Sequence, residues 1–84
     1  MKVQAEVSLY PLRQKNLTKP VVWFCELLQK HEIEIRTGPM SSLITAESDV
    51  IFRSLNEAFE QLAKEYDVVL AAKISNACPE TKEE

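Results

Sequence analysis

Residues 2–10 alternate, with Val3, Ala5, Val7 and Leu9 on one side and Gln4, Glu6, Ser8 and Tyr10 on the other. A period of two over that length predicts a strand with one face on a core. Pro11 is expected to end it, because proline offers no N–H to a ladder. A polar connection, residues 12–17, follows. Thr18 is then a good N-cap, and Pro20 falls in a first turn where its missing N–H costs nothing. The predicted helix runs to about His31. Val21, Phe24, Cys25 and Leu28 take the spacing of a buried stripe, with Trp23 and Leu27 on a neighbouring face.

Alternation returns over residues 33–37, placing Ile33 and Ile35 inward and Glu34 and Arg36 outward, before Gly38-Pro39 marks a turn. In the next predicted strand, residues 40–46, Ser42, Ile44 and Ala46 oppose Ser41, Leu43 and Thr45. Both parities are polar near its start, so the pattern leaves the buried face open. Ser48 is expected to cap a long second helix reaching about Tyr66, with Asp49 complementing the dipole. Its buried stripe reads Ile51, Leu55, Ala58, Phe59, Leu62 and Tyr66. Residues 68–75 form a nearly continuous apolar run broken by Lys73, a last strand that Pro79 stops.

The order is therefore β-α-β-β-α-β, an α+β chain. Right-handed crossovers place both helices on one face of a four-stranded antiparallel sheet, the ferredoxin-like arrangement. It spans residues 1–79 as a single domain, with residues 80–84 as a charged C-terminal tail. The other sheet face is left open. In a chain of 84 residues, a second subunit is the economical cover, so a homodimer or homotetramer is expected.

Composition narrows the chemistry. Hydrophobic residues make up 45% and charged residues 27%, the balance of a globular domain. Ten Lys+Arg against thirteen Asp+Glu give a net charge of −3, and the basic residues are scattered among acids. Nucleic-acid binding, which leans on phosphate contacts, is not expected. No apolar run matches a membrane span and the N-terminus has no signal-peptide pattern, so membrane insertion is not expected and the location reads as cytoplasmic. Cys25 and Cys78 form no CxxC motif. With one histidine they cannot supply a zinc site, and they read as reduced thiols.

Three polar segments remain to be explained. On the first strand Glu6, Ser8 and Tyr10 stand in line on the face away from the helices. They can form a ligand-binding row or a polar oligomer seam with Glu6 paired to Lys73 or Arg36. In the turn 37–42, Gly38 allows a close backbone approach, Met40 offers an apolar surface, and Ser41 and Ser42 are adjustable donors and acceptors. After the last strand, Asn76 offers a donor and an acceptor together, or else serves as a turn residue. His31 reads as a helix C-terminal residue and not a base. An acylphosphatase-like phosphate loop would need glycine, and residues 12–17 have Arg13 but no glycine.

Ser8-Leu9-Tyr10-Pro11-Leu12, Gly38-Pro39-Met40-Ser41-Ser42 and Ser75-Asn76-Ala77-Cys78-Pro79, in that order, resemble the YkoF-like thiamine/hydroxymethylpyrimidine-binding family. The similarity covers about residues 3–79. It implies a ferredoxin-like fold and non-catalytic binding of thiamine or its hydroxymethylpyrimidine half, in salvage, transport or sensing, with no cofactor, no metal and a transporter as a candidate partner. Some members carry two such domains in tandem, which for this chain implies a homo-oligomer. Two junctions depart from the family pattern, with Ala46 before Glu47 and His31-Glu32 where glycine is often found. The ligand-binding residues implied by motif position are Ser8, Tyr10, Met40, Ser41, Ser42 and Asn76, with Glu6 available to balance a cationic ring. The alternative is a regulatory or structural interaction module in which these motifs shape an oligomer seam and no small molecule is bound.

Overall fold

The computed structural model describes residues 1–77. Six elements follow in the expected order: β1 (Lys2–Leu12), α1 (Thr18–Leu28), β2 (Glu34–Thr37), β3 (Ser42–Glu47), α2 (Ser48–Ala63) and β4 (Asp67–Ser75). The strands form one antiparallel sheet in the order β2-β3-β1-β4. This is the ferredoxin-like arrangement. Pro79 and the charged tail lie outside the described residues, as does Cys78.

Strand parity decides what is buried. Val3, Ala5 and Val7 of β1 point toward the helices, and the β1–β3 register sets Ala5 opposite Ile44 and Val3 opposite Ala46. That register resolves β3, since Ile44 and Ala46 are buried and Leu43 and Thr45 are not. Phe24 and Leu28 of α1 and Ile51, Leu55, Ala58 and Leu62 of α2 complete the core. Each of the Val, Leu, Ile and Phe side chains among these, withdrawn from water, contributes about 1.5–3 kcal/mol before entropy is counted. Ile33 and Ile35 pack at its margin, as predicted.

Several local expectations are corrected. Pro11 does not end β1. It pairs with Val68, and Leu12 pairs with Asp67. The reason is that β3 pairs with β1 only as far as Val7, so beyond that point β1 has one strand neighbour and an absent N–H need not interrupt a ladder. Thr18 is the first helical residue and not the N-cap. The Asn16 side-chain carbonyl accepts its N–H at 2.9 Å instead. Similarly, Ser48 begins α2 inside the helix, with Glu47 at the N-cap position. Helix α1 stops at Leu28, where bonds from Lys30 N–H to Leu27 and His31 N–H to Leu28 tighten the chain out of the α-helix. Helix α2 stops at Ala63, short of Tyr66. Val21 and Phe59, assigned to buried stripes, are exposed, and the small Ser54 takes a fully buried place in α2. Neither junction lacking the family's glycine needs a left-handed residue, because Arg13 alone among the described non-glycine residues has a positive φ.

Candidate functional site

The face of the sheet away from the helices is open, and its side chains stand in rows across the strands. One row runs Arg36, Leu43, Glu6, Lys73; the next toward the end of β1 holds Ser8 and Ala71; the next holds Tyr10 and Val69. Rows lie two residues apart, roughly 6.8 Å. Ser8 and Ala71 are short, so the middle row is a depression walled by Tyr10 on one side and by Glu6 and Lys73 on the other. Its volume is about 530 Å³, lined by Glu6, Ser8, Tyr10, Met40, Ser41, Ala71, Ala72 and Lys73. That is the size of small-molecule sites in general.

One end of this groove is closed by the β2–β3 turn. Because β3 stops pairing at Val7, the place beside Ser8 is free, and residues 38–41 occupy it. The turn is pinned at both levels. Gly38 N–H donates to the Ser41 carbonyl at 2.8 Å, an approach so close that a Cβ on Gly38 would lie 3.0 Å from that oxygen. Ser8 Oγ donates to the Met40 carbonyl at 3.4 Å, and Ser41 Oγ donates to Glu6 Oε2 at 2.9 Å. The Met40 side chain is left 87% exposed above the groove.

Glu6, Ser8, Tyr10, Met40 and Ser41 are thus brought together from two distant segments. Ser42 stands opposite Val7, on the parity that faces the helices, and does not line the groove. Asn76 follows Ser75, which pairs with Gln4, so it lies past the far end of β4 and also outside the groove. Sequence reasoning missed Ala71 and Ala72 as lining residues and read Lys73 only as a pairing partner for Glu6. The signal was available in the pairing of an antiparallel β4 with β1, which sets Ala71 beside Ser8 and Lys73 beside Glu6. No ion pair joins Glu6 to Lys73 or to Arg36 among the described residues.

Elsewhere two side-chain contacts tie elements together. His31 Nε2 lies 3.0 Å from Glu57 Oε1, tying the end of α1 to α2, and Arg13 meets Asp67 at 2.7 Å. No group of three or more metal-ligating side chains occurs among the described residues, and no helix among them is long and apolar enough to cross a membrane.

A profile of the family described as thiamine-binding protein matches residues 5–79, nearly the whole chain and every element that builds the groove. The chain belongs to the thiamine-binding protein family. It is similar to UPF0045 protein MJ1052 of Methanocaldococcus jannaschii, at 28% identity over 72 residues, covering 84% of this chain and 72% of that protein. The crystal structure of MJ1052 superposes with a TM-score of 0.83 over 92% of this chain and 81% of that one, at 29% identity. Protein SP2199 of Streptococcus pneumoniae gives 0.82 at 26% identity over 89% of this chain and 86% of that chain. A candidate thiamine biosynthesis/salvage protein of Thermotoga maritima gives 0.82 over 89% of this chain and 83% of that chain, at 18% identity, a likeness of fold.

Proposed function

We propose that this thiamine-binding family member holds thiamine, or its hydroxymethylpyrimidine half, in the open-face groove without turning it over. The observation that carries the reading is the convergence of an aromatic ring, a carboxylate and two hydroxyls around one depression of about 530 Å³. An aminopyrimidine is flat, apolar on its faces and polar on its edge. Tyr10, 51% exposed, and Met40 offer surfaces for the faces, while the hydroxyls of Ser8 and Ser41 offer donors and acceptors for the edge. Glu6 supplies the negative charge that a thiazolium requires. Ser41 Oγ donates to Glu6 Oε2, but neither histidine nor cysteine lines the groove among the described residues, and the reading adopted is a carrier or sensor and not an enzyme.

Titration calorimetry with thiamine and, in parallel, hydroxymethylpyrimidine tests this. Saturable micromolar or tighter binding at about one site per chain is expected. Tyr10→Ala and Ser41→Ala should each weaken it by on the order of tenfold. Unaltered binding in both variants would remove the groove as the site, and no heat from either ligand would remove the function.

The oligomer reading has its own support. Tyr10, Leu12 and Val69 are 51%, 40% and 48% exposed and lie together at one end of the open face. A second copy covering that end would close the groove from above. Sedimentation of the wild type against Tyr10→Ala decides it, since a homo-oligomer should lose mass in the variant.

A further inference from the structure

The groove carries a cation that free thiamine does not use. Lys73 lines it, opposite Glu6 in the β1–β4 register, and has no charged partner among the described residues. Glu6 is turned the other way, toward Ser41 Oγ at 2.9 Å. Two strands away in the same row, Arg36 is also without an ion pair among the described residues. This row therefore holds two cations around one carboxylate, although the chain as a whole carries a net charge of −3.

That charge order is a poor match for a ligand that is only a cation. Thiamine's thiazolium would be drawn to Glu6 and repelled by Lys73 one strand away, roughly 4.8 Å across the sheet. A phosphate on thiamine's alcohol turns the ligand into a zwitterion whose two ends match the two side chains. The thiazolium then faces Glu6 while the phosphate oxygens accept from the Lys73 ammonium, a charge-assisted contact stronger than a neutral hydrogen bond. From this unpaired ammonium set beside the Glu6 carboxylate we infer that the groove selects phosphate monoesters of thiamine-type ligands over the free alcohols, with Lys73 as the specificity-determining residue. The inference rests on the groove being the ligand site, as proposed above, and goes beyond it in naming the form of the ligand.

The test compares thiamine with thiamine monophosphate by calorimetry on the wild-type chain, Lys73→Gln and Lys73→Arg. The phosphate should bind on the order of tenfold more tightly to the wild type. The ratio of the two affinities should fall to about one in Lys73→Gln and be kept in Lys73→Arg. Because Lys73 is exposed on an edge strand, both variants should fold, and the ratio in any case does not depend on the active fraction. Raising the salt concentration should lower the ratio in the wild type, as expected for an exposed charge pair. Equal or tighter binding of free thiamine would overturn the inference and leave the groove reading standing. A preference for the phosphate that survives Lys73→Gln would overturn it as well, since another group would then carry the selectivity. Binding of neither ligand would overturn the groove reading and the inference together.

Discussion

Substituting Ile44 by alanine tests the assignment of the two sheet faces. Ile44 is 0% exposed, centred in β3 between Ala5 of β1 and Ile35 of β2, beneath a core shared with both helices. Removing its outer carbons forfeits their transfer from water and leaves a cavity, because close-packed neighbours on three sides can relax only in part. The cost is about 2–5 kcal/mol. At roughly 0.05–0.15 kcal/mol per residue a domain of this length has only about 4–13 kcal/mol to lose. The expected loss is thus a large share of the whole, and a fall in melting temperature of about 8 °C or more follows. Tyr10→Ala, on the opposite parity and half-exposed, should cost the monomer less than about 1 kcal/mol. Urea unfolding at low protein concentration, with the slopes compared to exclude a change in the denatured state, measures both. A loss below about 1 kcal/mol for Ile44→Ala, or a larger loss for Tyr10→Ala, would refute the parity on which the core and the groove both depend.

Three further outcomes follow from local chemistry. Arg13 holds a φ of 57°, a left-handed conformation that costs a non-glycine residue about 1–2 kcal/mol, and its ion pair with Asp67 is too exposed to offset much of that. Arg13→Gly should therefore leave the melting temperature unchanged or raise it, and a clear drop would show that the ion pair matters more than the strain. Ser54 is fully buried with its hydroxyl donating to the Ile51 carbonyl one turn back at 3.1 Å, so Ser54→Ala removes donor and polar burial together and should cost less than about 1 kcal/mol in denaturant unfolding. The Met1 ammonium has its pKa raised above 8.0, first by the hydrogen bond to Glu47 at 2.7 Å and then by that residue's charge. A group raised on folding stabilises fully below its unfolded value, so this contribution should be present below about pH 8 and fade as pH rises through the folded value. Glu47→Gln should abolish that slope in the stability profile, and a slope that persists would assign it to another group.

The legibility of this fold in its sequence varies with the kind of signal. Alternation in β1 was sufficient to separate Val3, Ala5 and Val7 from Glu6, Ser8 and Tyr10, because each parity is chemically uniform. In β3 the paired serines made both parities polar, and only the cross-strand register, which places Ile44 beside Ala5, settles which side is buried. Pro11 misled for a related reason. Its tolerance depends on where β3 ends, a fact about a segment thirty residues away. Helix capping failed at a finer scale: Leu17 takes the N-cap position, Thr18 is already helical, and the Asn16 side chain before them accepts the Thr18 N–H. In the groove, the residues carried by motif and by β1 parity were visible one at a time. Ala71 was not, because an apolar run does not announce which row of the sheet its small residues join, and Lys73 was legible only as a pairing partner for Glu6.

The groove itself follows from a mismatch in strand length. β1 runs eleven residues, while its neighbour β3 has six and pairs with it only over residues 2–7. Had β3 continued, its side chains would occupy the place beside Ser8, and the open face would be an unbroken sheet. Ending β3 at Ser42 instead lets the Gly38–Ser41 turn fold back onto β1, where its serine and backbone carbonyl meet Glu6 and Ser8. The same arrangement leaves β1 beyond Val7 paired to β4 alone, which is why Pro11 is tolerated there and why Tyr10 can stand clear as a wall. Site and core therefore draw on opposite parities of the same strand. Substitutions on the Glu6, Ser8 and Tyr10 row can change what the groove holds while Val3, Ala5 and Val7 keep the sheet seated on its helices, whereas a one-residue slip of β1 would exchange the two sets and destroy both.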